Sequence, residues 1–279
     1  MKNFDIFPKI QRFKVRLDDW LLAKKIVKGQ DKYQKFIVLT RARTGSNFLV
    51  TLLQSHPSIR AFEEIFPNTK KERKIHWGYV KYPRSSEVLR MRKEKPVKFL
   101  DEVVFRKFPP SVSAVGFKLF YSQPQSAERQ QIWQYLEADK EIKIIHLKRD
   151  NLLKACLSQY LAQTTNQWIL KDEKYRQNSV AVQLDYDDCV KLFEETKKWE
   201  EEYDSFFSKH QKIEVIYEKL VQNTIQETKQ IQQFLGVKLQ RLYSLTLKQN
   251  KGALSEKISN YYELKLKFEN SPWSKFFTD

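Results

Sequence analysis

The sequence is poor in the residues that build disulfide frameworks and metal centres. Its 279 residues include two cysteines and four histidines, and the histidines are too scattered for the spacing of metal ligands. We therefore predict no metal site. We expect Cys156 and Cys189 to be reduced, partly buried thiols on helices.

Long apolar runs are also missing. No run approaches the ~18 apolar residues from which a membrane-spanning helix is recognised. The first residues lack the apolar stretch and the small-residue cleavage site of a secretion signal, so we expect a cytoplasmic protein. Residues 1–34 are predicted to form a basic, amphipathic extension. Its helix, expected near 18–28, either packs on the domain or makes peripheral contact with a membrane surface.

Acidic residues are scarce beside basic ones. The chain has 34 Asp and Glu against 51 Lys and Arg, which gives a net charge of +17. Such a surplus favours an anionic partner, such as a nucleotide, a nucleic acid, an acidic lipid surface or an anionic polymer. Hydrophobic residues make up 41% of the chain, enough for a sizeable core, and the length suits a single domain over residues 1–279.

Four short runs have the composition of β-strands, at 36–39, 113–120, 142–147 and 213–217. The first and third are almost entirely apolar, which is typical of strands buried on both faces of a parallel sheet. Since helical patterns lie between the runs, we predict an α/β protein with a P-loop-like, three-layer fold, in which helices flank a central, mainly parallel sheet. The helices are expected near 46–55, 84–94, 97–107, 126–137, 151–163, 187–208 and 224–235.

Residues 62–112 interrupt this alternation. The segment is basic, rich in proline and only weakly periodic. Because aromatic residues continue through it, we expect a helical insertion or lid packed on the sheet rather than a linker between domains.

The loop after the first strand has features of an anion site. Residues 36–53 read FIVLTRARTGSNFLVTLL, with one of the six glycines in a short basic loop. Ser46 is the expected N-cap of the following helix, and free amides at a helix N-terminus bind phosphate or sulfate well. Arg43 adds a planar, permanently charged group for oxyanions. A helix cap without a ligand is the alternative, and the G-x-x-x-x-G-K-[ST] fingerprint of nucleoside triphosphate loops is absent.

The loop after the third strand offers a second candidate anion site. Arg149 stands at the end of the strand, and Ser158 lies on the small, polar side of the helix that follows. The two side chains are placed to converge on one anion. The alternative is a surface arginine beside a helix that packs through small residues.

Two anion loops after successive strands resemble the sulfotransferases that use 3′-phosphoadenosine 5′-phosphosulfate (PAPS). Residues 42–48, ARTGSNF, resemble the 5′-phosphosulfate loop of that family, and the pair Arg149 and Ser158 resembles its 3′-phosphate motif. The stretches IYEKLVQN and IQQFLGV, at 216–223 and 231–237, resemble a further segment of the family. Asn47 departs from the family pattern, which usually has Ser or Thr there.

Within that family, the chain resembles the bacterial carbohydrate sulfotransferases of the nodulation-factor and trehalose type. The narrower resemblance rests on SHPSI at 55–59 with Glu64 shortly after, VGFKLFYSQ at 115–123, the run ending at Trp168, and residues 248–264. It implies transfer of a sulfuryl group from PAPS to a hydroxyl of a carbohydrate or glycolipid, without a metal. The nucleotide-binding residues that it implies are Arg43, Thr44, Gly45, Ser46, Asn47, Arg149, Ser158, Tyr217 and Lys248.

The same resemblance assigns catalytic roles. Arg43 would stabilise the leaving phosphate, and Glu64 would accept the proton of the acceptor hydroxyl. Glu63 and His56 are alternatives for the base. Lys118 either lines the site or extends its ammonium to solvent, and Trp168 either stacks on a sugar or fills the core.

Two other functions remain open from the residues. A P-loop-like small-molecule kinase or phosphotransferase would need a phosphate-bridging lysine, but Arg43 occupies that position, and it would need a metal-holding aspartate after a strand. A non-catalytic, basic anion-binding protein would not need two anion loops at strand ends. We predict no nucleic-acid partner.

Overall fold

The computed structural model describes residues 6–66, 80, 85–123, 127–177, 180–247, 249 and 252–278. Within them a single sheet has five strands, all parallel, in the order β2-β3-β1-β4-β5. The central strand β1 is fully buried from Phe36 to Leu39, as its apolar run predicts. The strands are β1 (Gln34–Thr40), β2 (Ile59–Glu64), β3 (Ala114–Phe120), β4 (Lys143–Lys148) and β5 (Lys212–Ile216).

Helices connect the strands, and polar side chains fix where several of them begin. The Asn151 side chain accepts a hydrogen bond from the Lys154 amide at the start of α6, and Asp185 does the same for α7. The helices are α1 (Ile6–Ala23), α2 (Ser46–Gln54), α3 (Ser86–Glu94), α4 (Pro96–Phe99), α5 (Ala127–Ala138), α6 (Leu152–Thr165), α7 (Tyr186–Phe206), α8 (Tyr217–Gln222), α9 (Thr224–Leu235), α10 (Leu254–Lys257) and α11 (Tyr261–Lys267).

The sheet has an apolar core on each face, because alternate residues of a strand point to opposite sides. Ile37, Leu39 and their neighbours pack against α4, α5 and a π-helical turn at Leu100–Val104. Phe36 and Val38 pack against α2, α8 and α9 on the other face. A third cluster joins α6, α7 and the C-terminal helices. The predicted three-layer α/β fold with a parallel sheet is therefore confirmed.

The strand order creates a crevice at the carboxyl edge of the sheet. The chain leaves β1 toward β2 and β3 on one side, then crosses to β4 and continues to β5 on the other. Connections on opposite sides of neighbouring strands open a cleft where ligands bind in sheets of this type. The loops after β1 and β4, which carry the two candidate anion sites, flank that cleft.

Several details differ from the sequence predictions. Residues 59–64 form an edge strand that the sequence pattern did not predict, and α8, α10 and α11 are helices that it did not predict. Helix α1 spans Ile6–Ala23, so it begins well before the predicted 18–28 and overlaps that range only in part. Cys156 and Cys189 are free as expected but fully rather than partly buried, with their Sγ atoms 3.3 Å apart.

The segment 62–112 falls partly outside the described residues. Its described part contains α3, α4 and the π-helical turn, and Phe99 and Leu100 lie in the core. Its role as an insertion or lid stays a prediction. Within the described ranges, no helix is long and apolar enough to cross a membrane.

Candidate active site

The loop between β1 and α2 is shaped by left-handed backbone at Arg43 (φ 69°) and Gly45 (φ 80°). Gly45 is the N-cap of α2, and Ser46 is the first helical residue, so the prediction of Ser46 as the cap was wrong. A glycine adopts this conformation without strain, whereas a side chain at position 45 would meet the ring of Tyr217 at 2.1 Å. Left-handed turns of this kind direct amides into an anion-binding concavity at the helix start.

Arg43 reaches across the cleft and ties the first loop to α6. Its Nε and Nη2 donate hydrogen bonds to the Ser158 hydroxyl, at 3.0 and 2.7 Å. Nη2 also donates to the Gln249 side-chain oxygen at 2.9 Å, and Nη1 donates to the Trp168 carbonyl at 3.1 Å. The predicted residues Arg43 and Ser158 therefore meet directly, and Gln249 is an additional contact from the C-terminal loop.

Arg149 contacts the first loop through the backbone of Arg43. Its Nη1 donates to the Arg43 carbonyl at 2.9 Å, and its guanidinium lies 5.0 Å from the centre of the Tyr217 ring. The Glu218 carboxylate is 3.5 Å from Arg149 Nε and accepts hydrogen bonds from two amides at the start of α6. Tyr217 thus supports both the Gly45 turn and the Arg149 side chain.

The cleft holds more positive charge than its acidic residues balance. Burial and the neighbouring Arg149 charge lower the pKa of Arg43 to about 10, and burial lowers the pKa of Arg149. Nε and Nη1 of Arg41 are buried and find no hydrogen-bond partner among the described residues. Of the carboxylates described, Glu218 alone lies within ion-pair distance of any of these three arginines. A bound anion would relieve this repulsion.

An irregularity in the pairing of β2 with β3 determines the position of Glu64. Strands β2 and β3 pair in regular register from Ile59 to Phe62, and then the register shifts so that Glu64 lies opposite Lys118. A bulge of this kind redirects a side chain. Without it, Glu63 would take that position.

Lys118 connects Glu64 to the donor loop. Its ammonium is 3.0 Å from a Glu64 carboxylate oxygen and donates to the Asn47 side-chain oxygen at 2.6 Å. The Lys118 side chain is 1% exposed, so it does not extend to solvent, whereas that of Glu64 is 27% exposed. The partner for this buried ammonium explains why Asn47 stands where the family usually has Ser or Thr.

The two alternative bases are less suited to the role. The His56 ring accepts a hydrogen bond from the Ser58 amide at Nδ1, so its Nε2 carries the proton and donates to the Lys238 carbonyl at 2.8 Å. Burial lowers the pKa of His56. Glu63 is fully buried. Among the three candidates, Glu64 is the one that is both partly exposed and connected to the loop.

Other predicted residues take structural positions or cannot be assessed. The Thr44 hydroxyl donates to the Arg41 carbonyl at 2.8 Å, so this side chain stabilises the loop itself. Lys248 lies outside the described residues. Trp168 is 39% exposed, with its ring centre 5.7 Å from the Arg43 guanidinium, so it does not fill the core.

Sequence reasoning missed Gln249 and Glu218 as parts of the site. Glu218 lies in the stretch 216–223 that carried the family resemblance, and Gln249 lies in the C-terminal stretch that did so. Those positions could have been flagged, but their contacts with Arg149 and Arg43 depend on chain packing. No group of three or more acidic, cysteine or histidine side chains placed to hold a metal occurs in the described part of the chain.

Comparison with known proteins shows the family to which the chain belongs. A family model described as "Sulfotransferase family" matches residues 36–241, more than half of the chain. The chain therefore belongs to the sulfotransferase family, and it is an enzyme of that class rather than the kinase or non-catalytic binder that the residues left open.

Curated relatives extend over nearly the whole chain. Nodulation protein H of Rhizobium meliloti strain 1021 is 26% identical over 254 residues, covering 88% of this chain and 95% of the relative. Nodulation protein H of Rhizobium tropici is 26% identical over 249 residues, covering 88% and 93%. The resemblance to the bacterial carbohydrate sulfotransferases is thereby confirmed.

Two solved structures are also similar. A sulfotransferase from Alicyclobacillus acidocaldarius is 15% identical with a TM-score of 0.47, covering 87% of this chain and 93% of that one. The mouse sulfotransferase SULT7A1 complexed with PAP is 14% identical with a TM-score of 0.39, covering 91% and 77%.

Proposed function

We propose that this sulfotransferase uses PAPS as the donor and transfers its sulfuryl group to a hydroxyl of a carbohydrate or glycolipid. The observation that carries the donor assignment is the pair of partly buried arginines, Arg43 and Arg149, which meet from two strand ends, with Glu218 as the one described carboxylate within ion-pair distance of either. PAPS carries anionic groups at both its 5′ and 3′ positions. Two separate cationic sites fit that distribution of charge better than a single triphosphate loop does.

Arg43 and the α2 amides would bind the 5′-phosphosulfate. Charge moves onto the leaving phosphate as the sulfur–oxygen bond breaks, and a preorganised guanidinium and helix N-terminus stabilise it there. Ser158 now accepts two hydrogen bonds from Arg43. A 3′-phosphate placed between Arg149 and Ser158 would take over part of that interaction.

Glu64 would act as the general base for the acceptor. The acceptor oxygen forms a new bond to sulfur, its proton passes to the Glu64 carboxylate, and adenosine 3′,5′-bisphosphate leaves. Lys118 would hold the carboxylate in place through their 3.0 Å ion pair, while its bond to Asn47 links the base to the donor loop. Positioning of both reactants from one buried ammonium favours in-line transfer.

A saccharide acceptor fits the surroundings of the loop. The half-exposed Trp168 ring beside Arg43 is suited to stack on a sugar face. The similarity to nodulation protein H over 88% of the chain also supports a carbohydrate acceptor.

Donor recognition is tested by thermal shift of the full chain with adenosine 3′,5′-bisphosphate and with ADP. At 100 times its dissociation constant, the preferred nucleotide should stabilise the fold by about 2.7 kcal/mol. Arg149→Ala should abolish the preference for the 3′-phosphate but leave ADP binding nearly unchanged. An equal response of the parent protein to both nucleotides would refute the assignment of PAPS.

A matched control is Arg90→Ala on α3, an exposed arginine outside the cleft. This variant should keep the full nucleotide preference. Loss of the preference in both variants would show that net charge, rather than the geometry around Arg149, selects the nucleotide.

A further inference from the structure

Helix α1 has one face that is firmly attached to the domain. Gln11 Nε2 donates to the His56 carbonyl at 2.9 Å, and Val15 is buried in the core. Asp18 pairs with the buried Arg60 at 2.7 Å, and Asp19 pairs with Arg106 at 2.8 Å. These contacts fix the rotation of the helix about its own axis.

The opposite face of α1 is apolar and exposed. Ile10, Phe13, Leu17 and Trp20 are 56%, 67%, 40% and 51% exposed. They follow one another at intervals of three or four residues, so they form a continuous stripe about 15 Å long. A stripe of large apolar side chains held in water costs free energy unless another surface covers it.

The helix geometry places this stripe away from the body of the protein. At about 100° per residue, the four side chains fall within an arc of about 80°. The centre of that arc lies roughly 150° from the attached face that holds Gln11, Val15 and Asp18. The stripe therefore faces outward.

Positive charges border the stripe. Lys14 and Arg16 are exposed on either side of it, and Lys24, Lys25 and Lys28 are exposed just beyond the helix. The two aspartates of the helix, Asp18 and Asp19, are each paired with an arginine of the domain. The outward face thus combines an apolar centre, an exposed tryptophan and a basic rim, which is the pattern of helices that lie in a membrane interface.

We propose that this outward face of α1 docks on an anionic membrane surface. The apolar stripe enters the boundary between headgroups and acyl chains, and the basic rim contacts anionic lipid headgroups. A second copy of the chain fits less well, because its α1 would bring the same positive charges to the contact. A single narrow stripe is also small for a stable protein–protein interface.

Docking through α1 would hold the edge strand that carries Glu64 at a fixed distance from the membrane surface. The helix is anchored to Arg60, four residues before Glu64 on the same edge strand. At about 3.3 Å per residue, these positions are about 13 Å apart. This arrangement would favour a glycolipid acceptor, because such an acceptor lies in the same membrane. The docking itself does not depend on the proposed acceptor.

Co-sedimentation of the full chain with lipid vesicles tests the proposal. Vesicles of phosphatidylcholine mixed with phosphatidylglycerol should bind the protein, and vesicles of phosphatidylcholine alone should bind it more weakly. The double substitution Phe13→Gln and Trp20→Gln leaves the net charge unchanged and should lower partitioning to the anionic vesicles about tenfold or more. Lys14→Gln with Arg16→Gln should lower it by about fivefold for each charge.

The control is the double substitution Ile225→Gln and Leu266→Gln, which removes two exposed apolar side chains outside α1, 68% and 71% exposed. It should bind vesicles as the parent does. Equal binding by the Phe13/Trp20 variant would overturn the proposal, because general attraction of a basic protein would then explain the result. A lipid-free dimer that the Phe13/Trp20 variant abolishes, seen by sedimentation velocity, would assign the stripe to a second copy instead.

A spectroscopic measurement does not depend on the folding of any polar variant. Brominated lipids quench tryptophan that enters the membrane interface. The parent should lose fluorescence on binding, and Trp20→Phe, which keeps an apolar ring on the stripe, should bind without that loss. Identical quenching in the two proteins would place Trp20 outside the membrane and overturn the proposal.

Discussion

Two groups of charged residues in this molecule are organised in opposite ways. In the cleft between β1 and β4, Arg149 has one carboxylate within ion-pair distance, Glu218, and no described carboxylate lies that close to Arg43. On the same strand β4, the charges around His146 are paired. Lys148 bonds to both Asp204 and Glu214, at 2.7 and 2.6 Å.

The network around His146 is complete without a ligand. The Tyr121 hydroxyl donates to His146 Nε2 at 2.5 Å, and His146 Nδ1 then carries the proton that it donates to Asp204 at 3.0 Å. Lys212 also contacts Asp204. Burial, followed by the Lys148 charge, lowers the pKa of His146 to about 4, so the ring is neutral near pH 7.

The difference separates structural charge from functional charge. Buried charges that serve only the fold are paired, because an unpaired charge costs several kcal/mol. In the arginine cleft the cations outnumber the carboxylates within ion-pair distance, and this surplus supports the anionic donor proposed above. The arginine cleft and the His146 network both involve β4, but only in the network are all the charges paired within the protein.

The largest expected effect is on catalysis. Glu64→Gln should lower kcat by about 10²–10⁴-fold, since it removes the proposed base while retaining size and polarity. Nucleotide affinity should change little, because the arginine cleft is intact. Steady-state rates and a thermal shift with adenosine 3′,5′-bisphosphate measure the two effects separately.

The control for this variant is Glu87→Gln, an exposed carboxylate on α3. It should retain full activity. If Glu64→Gln also retained activity, another residue would have to be the base, and the ion pair between Glu64 and Lys118 would serve only to stabilise the fold.

The next largest effect is on the shape of the cleft. Gly45→Ala should destabilise the fold by about 3 kcal/mol or more, because it adds a left-handed alanine and a contact with the Tyr217 ring at 2.1 Å. Gly236→Ala is the matched control, since its φ is +68° but nothing lies within 4 Å. That variant should cost only about 1–2 kcal/mol. Urea denaturation compares them, and equal costs would mean that Tyr217 moves aside freely.

The paired network should make the protein sensitive to acid. The folded-state pKa of His146, about 4, lies below its ordinary value of 6.5, so the folded state resists protonation of the ring. Its contribution to stability is complete above pH 6.5 and is lost as the pH falls toward 4, by up to about 3 kcal/mol. In His146→Gln, this loss of stability between pH 6.5 and pH 4 should be absent.

Denaturation midpoints at pH 7, 5.5 and 4 would measure the effect of His146. If the denaturation midpoint of His146→Gln fell as steeply with decreasing pH as that of the parent, another group would be responsible for the acid sensitivity. Burial raises the pKa of Asp204, but hydrogen bonds from Lys148 and Lys212 offset this and hold the pKa well below its ordinary value. Its own loss of stability therefore comes only at lower pH, below about 3.9.

The smallest effect concerns the link between the base and the donor loop. Asn47→Ser restores the usual family residue but removes one of the two acceptors of the Lys118 ammonium, leaving its ion pair with Glu64, and it should cost about 1–3 kcal/mol of stability. Because the two residues share one interaction, Asn47→Ser and Lys118→Met should be non-additive in a double-mutant cycle. Additive costs would mean that the pairing does not explain Asn47.

Much of the fold follows from local pattern. The apolar runs at 36–39 and 142–147 are central strands, and the helices on either side lie within a few residues of their predicted positions. Strand β2 was missed because Arg60, Glu63 and Glu64 break the apolar pattern. Arg60 is tolerated in the edge strand because Asp18, which is 42 residues earlier, neutralises it.

The sequence by itself determined the alternation of four of the five strands with helices, the glycine turn before α2, and the arginines at the two strand ends, because each depends on neighbours a few residues away. Only the tertiary structure decided which groups meet. The bulge that selects Glu64 over Glu63, the Lys118 bond to Asn47 and the outward rotation of α1 arise from contacts between distant segments. Their energies depend on burial and pairing, which no local pattern specifies.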